Sequence, residues 1–433
     1  MTPQSSFMIL AAIDRKRETE LRQLLASMNH LPGRVNADNA LIPFAQFDML
    51  HFARLLIVDD KTTNDVRVYD LAPSIYPLYL AFLGDIDGDG DTFLEELARL
   101  ASNGLRSIFS CCEGFTADTD LVAWMKQHST PSAANYVNWQ GRTVRNVRQE
   151  AELREALELY LESNAPALTG LSPQEIHTEL RRFIKGETSS GRLALSPESP
   201  TPPGWWINNL LHLVGVPLLL FIASPILVPI GLIGFIRLRR LEKTDPELCS
   251  RVDPAYSSDL ALLEDHDVTN QFTAMGSLKP GMVRLGTAIF VLLVIDWAAR
   301  HLFTRGRLAR VRTIHFARWV FLDDKKRVVF LSNYDGSLES YMDDFINKVG
   351  FGLNLVFSNG VGYPRTNYLM KDGCSDERKF KEYLRRHQLL TQVWYNAHPG
   401  LTAVDLERNA RIRQGLESFS MSDQAAREWA ALL

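Results

Sequence analysis

The stretch Leu50-His51-Phe52-Ala53-Arg54 recurs 264 residues later as Ile314-His315-Phe316-Ala317-Arg318. A second block, Leu80–Phe115, matches Val328–Tyr363 at an offset of 248, and a third, His128–Glu158, matches His387–Glu417 at an offset of 259. Similarity in three ordered blocks indicates an internal duplication, which has to be recognised before any fold is assigned. The change of offset from 264 to 248 predicts sixteen extra residues in the first copy, around Thr62–Pro77.

Both copies have the same predicted order of elements, strand-helix-strand-strand-helix-strand, from their hydrophobic periodicity. In the first copy the strands are Phe7–Ile13, Asp48–Val58, Tyr79–Leu83 and Leu105–Cys112, and the helices are Arg15–Asn29 and Thr92–Ser102. In the second copy the strands are Gln271–Leu278, Thr313–Leu322, Arg327–Ser332 and Leu353–Ser358, and the helices are Gly281–Phe303 and Leu338–Val349. This order is ferredoxin-like.

The predicted fold is therefore α+β, with two ferredoxin-like repeats and an inserted apolar membrane segment. A four-stranded sheet whose helices cover one face needs a cover for the other face. We expect the two sheets to face each other as a dimeric α+β barrel made within one polypeptide. The expected divisions are residues 1–165 for the first repeat with its following helices, 166–245 for a linker and membrane-embedded hairpin, and 246–433 for the second repeat.

The middle of the chain contains 32 residues without a charged side chain, Trp205–Ile236, more than the ~20 that a membrane-spanning helix needs. Three prolines (Pro217, Pro225 and Pro229) interrupt this run and argue against a straight helix. We expect a hairpin that re-enters or lies in the membrane; a buried core hairpin is the alternative. The preceding stretch, Glu187–Gly204, is rich in Ser, Pro and Gly and is typical of a linker.

The duplication constrains the topology, because a single crossing would leave the two copies on opposite sides of the bilayer. Leu285–Ile295 is short for a second span and is more typical of an interfacial helix. Arginines follow both apolar segments, at Arg237–Arg240 and between Arg305 and Arg312, as is typical near an anionic cytoplasmic leaflet. With no signal peptide in the first 30 residues, we expect a monotopic protein on the cytoplasmic face of the inner (plasma) membrane.

Composition excludes few classes of function. The net charge of -4 gives no broad basic field and argues against nucleic acid as a partner. The four cysteines show no C-x-x-C spacing, which suits a reducing compartment. Cys111-Cys112 has no counterpart in the second copy, where Asn359-Gly360 stands, so a thiol mechanism shared by both copies is excluded.

The repeated H-F-A-R strand provides the first candidate site residues. Residues three apart on a regular strand face opposite ways, so His51 and Arg54 are not expected to share a face. We place Arg54 and Arg318 toward the space between the sheets, where they would bind an anionic ligand or, alternatively, a structural carboxylate. His51 and His315 are the candidate catalytic residues, and a satisfied core histidine is the alternative for each. His128 and His387 form a second duplicated pair to test.

Two further candidates lie outside this strand. Lys279 and Arg284 flank a predicted helix start and are a candidate phosphate or headgroup contact, although the intervening proline equally suits a plain helix start. Asp85, Asp87, Asp89, Gly90 and Glu96 match a calcium-loop pattern. A strand rather than a helix precedes Asp85, and the second copy lacks the acidic series, so a turn that stabilises a helix start is preferred to calcium.

The H-F-A-R strand, the Asn333–Ser337 turn, the C-E-G-F and V-G-Y-P segments and the apolar midsection resemble a family of uncharacterised bacterial membrane-associated proteins. That resemblance implies no activity. At the level of fold, the expected barrel is similar to that of dye-decolourising peroxidases. This resemblance leaves haem open as a cofactor, but no residue here matches the haem-ligand motif of that family.

Two hypotheses of function follow. In the first, a membrane-surface protein binds or oxidatively transforms an apolar acidic molecule such as an acyl lipid, with Arg318 and Arg54 on the acid and His315 or His51 nearby. In the second, the protein binds lipid or a partner without catalysis. Membrane lipid is the expected partner in both.

Overall fold

The computed structural model describes residues 1–248 and 251–433, so that Cys249 lies outside the described residues. Eight strands form the two main sheets: β1 Gln4–Ala12, β2 Leu50–Val58, β3 Tyr79–Asp87, β4 Ala134–Val137, β5 Thr269–Ser277, β6 Ile314–Leu322, β7 Arg327–Asp335 and β8 Val393–Asn396. The helices are α1 Glu18–Ser27, α2 Gly90–Phe109, α3 Leu121–Gln127, α4 Val144–Ser163, α5 Ala165–Leu168, α6 Pro173–Ser189, α7 Pro203–Thr244, α8 Pro254–Ala261, α9 Met282–His301, α10 Leu338–Phe357, α11 Glu377–His387, α12 Ala403–Glu417 and α13 Asp423–Ala430.

Each main sheet is antiparallel and combines strands of both halves. The orders are β1-β3-β2-β8 and β4-β6-β7-β5. In the first sheet Tyr395 of β8 lies opposite Ala53, and in the second Tyr136 of β4 lies opposite Ala317. The two halves thus exchange their last strands and repeat the same register.

The sheets pack through their inner faces, and helices cover their outer faces. Met8, Leu56 and Leu83 of the first sheet share a buried cluster with Val320 and Leu331 of the second. On the outer faces, α2 and α3 pack against the first sheet and α9, α10 and α11 against the second. All nine residues of β2 are buried, which explains its nearly continuous apolar sequence.

The predicted order of the first five elements in each half is confirmed, but both predicted final strands are wrong. Leu105–Cys112 lies mostly in α2, and Leu353–Ser358 lies almost wholly in α10. Each helix continues beyond a residue with non-helical dihedral angles, Ala101 and Val349 respectively. In α2 the apolar residues beyond that kink still follow helical spacing, which an eight-residue window cannot distinguish from a strand.

The expected closed barrel is not present among the described residues. The two four-stranded sheets share no hydrogen-bonded strand pair and remain separate layers. Each sheet instead covers the inner face of the other by face-to-face packing.

A second helical layer joins the halves beyond the sheets. Helices α4 and α12 pack against each other, and α6 and α13 pack beside them. Leu153, Leu157, Leu180 and Ile412 form their common core.

The apolar midsection is one continuous helix, α7, and not the expected hairpin with a turn. Pro217, Pro225 and Pro229 lie within it. Prolines are tolerated inside helices in apolar surroundings, where local adjustments satisfy the freed carbonyl groups.

Candidate functional site: buried polar pairs and an apolar helix pair

The two H-F-A-R arginines cross between the sheets in a reciprocal arrangement. Arg54 of the first sheet donates to the carbonyl oxygens of Phe272 and Ser332 in the second, each at 2.9 Å. Arg318 of the second sheet donates to the carbonyl oxygens of Phe7 and Gly84 in the first, again at 2.9 Å. Both arginines are 3% exposed, so these bonds are made without competition from water.

A series of side-chain contacts connects the two arginines at the centre of the molecule. Arg54 also donates to Asn333, and Arg318 forms an ion pair with Asp85. The Asn333 amide donates to the second oxygen of Asp85 at 2.9 Å. Burial lowers the pKa of Arg54 to about 9, an effect that Asp85 partly opposes. The structural-carboxylate alternative thus describes Arg318, and both guanidinium Nη atoms of each arginine bond to the protein itself.

The expectation that His51 and Arg54 cannot share a face is wrong. The pairing of β2 with β3 shifts register between Leu50 and Phe52, and that of β6 with β7 shifts between Ile314 and Phe316. His51 and His315 are therefore the extra residues of two β-bulges, which reverse the alternation of side chains. The His51 ring lies 5.5 Å from the ring of Phe316 in the other sheet, on the inner side with Arg54.

Each bulged histidine bonds to an aspartate that also holds a helix start. His51 Nε2 lies 2.9 Å from Asp87 Oδ1, while Asp87 Oδ2 accepts the backbone N–H of Val144 at 2.8 Å. The second copy has the same contacts. His315 Nε2 lies 2.6 Å from Asp335 Oδ1, and Asp335 Oδ2 accepts the backbone N–H of Ala403 at 2.7 Å. A carboxylate at a helix N-terminus is stabilised by the helix dipole, so these contacts anchor α4 and α12 to the sheets.

A third histidine, which sequence reasoning missed, lies between these two. The ring centroid of His398 lies 6.0 Å from those of both His51 and His315. Its Nδ1 atom is buried without a hydrogen-bond partner among the described residues. Burial lowers the pKa of His398 well below its usual value, with the two neighbouring histidines adding to the effect. The sequence gives no sign of His398, because the offset of 259 pairs it with Trp139 and not with another histidine.

The acidic residues of the calcium-loop pattern are used for different contacts. Asp85 binds Arg318, Asp87 binds His51, and Asp89 caps α2 by accepting from the backbone N–H of Thr92 at 3.0 Å. Glu96 lies within α2. Among the residues that the structure describes, no group of His, Cys, Asp or Glu side chains has the geometry of a metal site.

Lys279 and Arg284 converge on one carboxylate rather than on solvent. Asp245, directly after α7, accepts from Lys279 Nζ at 2.8 Å and forms an ion pair with Arg284. Lys279 is 5% exposed and Arg284 is 1% exposed. Burial lowers the pKa of Lys279 to about 8. This node fixes the C-terminal end of α7 to the start of α9.

The remaining candidates occupy structural positions in the two halves. His128 Nδ1 and His387 Nδ1 contact the carbonyl oxygens of the residues four before them, at 2.9 and 2.8 Å. Burial lowers the pKa of His387 to about 4. It also raises the pKa of the Cys112 thiol to about 12, which keeps that thiol protonated at neutral pH.

Helix α9 has two apolar sides. Ala288, Leu292 and Ala299 are buried against the second sheet, whereas Phe290 and Val294 are 53% and 43% exposed. Since both ends of α9 connect to strands of that sheet, the helix lies along the sheet for its whole length. Both α7 and α9 are long and apolar enough to cross a membrane by length and composition.

Helix α7 touches the body at its two ends and is exposed between them. Near its start, Leu213 accepts from the Trp297 indole at 3.2 Å, and near its end Asp245 binds Arg284. Arg284 and Trp297 are 13 residues apart, ~20 Å along α9, whereas Leu213 and Asp245 would be ~48 Å apart on a straight helix. Side chains at the two ends cannot span that difference, so α7 must bend away from α9. The three prolines lie in the bent part, where kinks are expected.

The most apolar part of α7 has no residue buried in the protein. Large side chains on all sides of the helix are exposed there: Leu211, Leu218, Leu219, Phe221, Ile222, Ile226, Val228 and Ile230. A contiguous apolar surface of this kind marks a membrane or partner contact.

Comparison with protein-family models, curated proteins and solved structures gave no significant match.

Proposed function

We propose that the chain is a monotopic, non-catalytic lipid-binding protein whose α7 and α9 insert into one leaflet of a membrane. The observation that carries this proposal is that α7 leaves the protein body, exposes apolar side chains on all sides and returns to the same body at Asp245. Water is a poor solvent for such a surface, whereas the hydrocarbon layer of a bilayer is a good one.

The packing of α9 supports attachment to one leaflet rather than a crossing. A helix that is covered by a sheet along one side would take that sheet into the bilayer if it crossed. With its exposed side in the lipid, α9 instead lies in the membrane plane as an interfacial helix. Basic residues also follow both apolar segments in the sequence, with Arg239 and Arg240 at the end of α7 and Arg305 and Arg307 after α9.

The bend in α7 supports the same orientation. Both ends of α7 lie beside α9, so the bent part, around Pro217–Pro229, would extend deepest into the leaflet. Both halves of the body then stay on one side, as their exchanged strands require. We assign this side to the cytoplasm, because clustered arginines favour the anionic cytoplasmic leaflet.

A flotation experiment tests the attachment. Full-length protein is mixed with vesicles of phosphatidylcholine and phosphatidylglycerol and centrifuged through a density gradient. The double variant Phe221→Asp/Ile226→Asp should remain at the bottom, because charges near the middle of a leaflet are costly. Leu159→Asp, which changes an exposed leucine on α4, should float like the unchanged protein. Equal flotation of all three proteins would contradict the proposal.

The side of the membrane is tested separately, by protease digestion of spheroplasts and of inverted vesicles. The body should be digested only in inverted vesicles. Digestion in spheroplasts would overturn the cytoplasmic assignment and leave the one-leaflet attachment standing.

We also propose that each half is a ferredoxin-like unit whose final strand has moved to the other sheet. The shared β-α-β-β-α order and the central position of β3 and β7 in their sheets support this classification. A solved structure of the whole chain in which either half has a different order of strands would contradict it.

Catalysis by His51 or His315 is the second candidate function. A histidine paired with a carboxylate is a common general base, and the chain has two such pairs. Haem and an acyl substrate remain predictions of this second candidate. A visible absorption spectrum and mass spectrometry of detergent-purified protein test both, and turnover that is lost in His315→Asn would favour catalysis.

A further inference from the structure

A cleft of about 720 Å³ lies between α4, α12, the loop after α9 and the stretch before α7. Its wall includes Arg142, Glu150, Arg305, Arg413 and the indole of Trp139. A volume of this size is typical of sites for small molecules. The residues that line the cleft lie outside α7 and α9, although Arg305, which follows α9, is among them.

Arg142 is buried in this wall without a full set of partners. It is 7% exposed, and its guanidinium lies 4.0 Å from the centroid of the Trp139 ring, which holds it in place. Its Nη2 atom has no hydrogen-bond partner among the described residues. Burial lowers the pKa of Arg142 to about 10, but the group stays charged at neutral pH.

Arg413 presents a second such guanidinium from α12. Its Nε donates to Glu417 at 3.1 Å, and its Nη2 donates to the carbonyl oxygen of Ser196 at 2.5 Å. The remaining nitrogen, Nη1, is buried and has no partner in the part of the chain that the structure describes. The residue is 8% exposed.

Three glutamates, Glu150, Glu198 and Glu417, also line the cleft, and Glu417 forms an ion pair with Arg413. Glu150 forms no ion pair with Arg142 or Arg413 in the described structure. It is 7% exposed, and its Oε2 is buried without a partner among the described residues. Burial raises the pKa of Glu150 to about 7, although both arginines oppose that shift. A protonated Glu150 can donate a hydrogen bond.

Two buried guanidinium groups and a carboxyl group with unsatisfied atoms are costly unless something binds to them. Arg142 and Glu150 are not part of the duplicated framework, since the offset of 259 pairs Arg142 with Leu401 and Glu150 with Asn409, whereas Arg413 is paired with Arg154. We propose that this cleft binds a phosphate group, with Arg142 and Arg413 donating to its oxygens and Glu150 donating to a third oxygen.

A phosphate suits this wall because its several oxygens accept from more than one guanidinium at once. The cleft is larger than a phosphate ion and leaves room for the group esterified to it. Arg305, which follows the membrane-proximal helix α9, also lines the cleft. The phosphate can thus belong to a lipid headgroup or to a soluble phosphate ester, and the recognition is the same for both.

The test is isothermal titration calorimetry of the full-length protein in non-ionic detergent, with glycerol 3-phosphate in one arm and short-chain phosphatidic acid in the other. Binding in both arms indicates a soluble ester or a lipid headgroup alike, and binding of phosphatidic acid alone indicates a lipid. Arg142→Gln should weaken binding about tenfold or more. Arg182→Gln, an exposed arginine on α6, should bind like the unchanged protein. No binding in either arm, or equal binding by Arg142→Gln, overturns the proposal.

Two further variants protect the test against misfolding. Arg142→Lys keeps the charge but loses the planar fork, so it should fold and still bind more weakly.

Glu150→Gln removes the titrating group that faces Arg142, Arg413, Glu417 and Glu198. From pH 6 to pH 8 the phosphate itself gains negative charge, because its second pKa is ~6, and this acts on both proteins alike. The affinity of the unchanged protein should therefore fall relative to that of Glu150→Gln as the pH rises. Equal pH dependence in both proteins would remove Glu150 from the site. Because detergent replaces the vesicles, failure here is separate from failure of the membrane attachment.

Discussion

The side-chain amide of Asn333 donates a hydrogen bond of 2.9 Å to the carboxylate of Asp85, and this bond joins the two halves of the molecule at its centre. The two residues are equivalent under the offset of 248. One position in the duplicated pattern is thus an amide in one half and a carboxylate in the other, which allows the two side chains to bond where two carboxylates would repel.

Because Arg54 contacts an amide and Arg318 contacts a carboxylate, removing the two arginines should lower the stability of the protein by different amounts. Arg318→Met removes the partner of a buried carboxylate, Asp85, and should lower the free energy of unfolding by about 3–5 kcal/mol. Arg54→Met leaves a neutral amide behind and removes a cation that burial already disfavours, so it should cost less. Urea unfolding of both variants in detergent measures the difference.

Adding Asp85→Asn to Arg318→Met provides the control. With the uncompensated carboxylate gone, part of the lost stability should return. Equal losses in Arg54→Met and Arg318→Met, with no recovery in the double variant, would show that the charge of Asp85 is unimportant.

The contacts of Asp245 with Lys279 and Arg284 predict that replacing Asp245 will strongly destabilise the protein at the junction of α7 and α9. Asp245→Asn leaves two buried cations, Lys279 and Arg284, without their carboxylate and should destabilise the protein by about 3 kcal/mol or more. The double variant Asp245→Asn/Lys279→Met should be more stable than Asp245→Asn alone. Thermal unfolding followed by circular dichroism checks this order, and a double variant less stable than the single one would contradict it.

His387 predicts a loss of stability in acid. Its pKa is about 4 in the folded protein and ~6.5 in an unfolded chain, so the unfolded state binds more protons as the pH falls below 6.5. Between pH 6.5 and 4 the folded state should lose about 3 kcal/mol relative to the unfolded state through this residue. His387→Asn should reduce the slope of the urea midpoint against pH in that range. His30→Asn, which changes an exposed histidine, is the matched control and should not.

The exposed side of α9 predicts a membrane effect without a folding effect. Phe290→Asp/Val294→Asp should reduce vesicle binding several-fold, because these side chains face away from the sheet. The melting temperature in detergent should change little, since surface substitutions usually shift stability by ~0.5 kcal/mol or less. A large fall in melting temperature with unchanged vesicle binding would place this side of α9 against protein instead.

Hydrophobic periodicity was sufficient to predict the order of the first five elements in each half, and the repeated blocks cover the third to the fifth of them. Neither could reveal which sheet the last strand joins. Val393–Asn396 and Ala134–Val137 are four residues each, too short for periodicity to identify, and their partners lie in the other half. Pairing at such a distance depends on tertiary packing and leaves no local signal.

The positions of the polar side chains could be predicted only in part from the sequence. The inward position of Arg54 followed from the cost of burying an arginine beneath the covering helices. Strand alternation placed His51 on the wrong face, because the bulge at His51 reverses that alternation and has no marker such as glycine in its sequence. His398 and Arg142 escaped notice because neither has a duplicated counterpart. Residues that both copies share give a repeated signal in the sequence, whereas residues present in only one copy give none.

The strand exchange makes the covalent link between the halves dispensable for their association. Each sheet would lack an edge strand if one half were missing, so we expect neither half to form its complete sheet alone. A protease cut in the stretch between α6 and α7 should therefore leave a non-covalent heterodimer, and the separately expressed fragments should regain structure only by complementation.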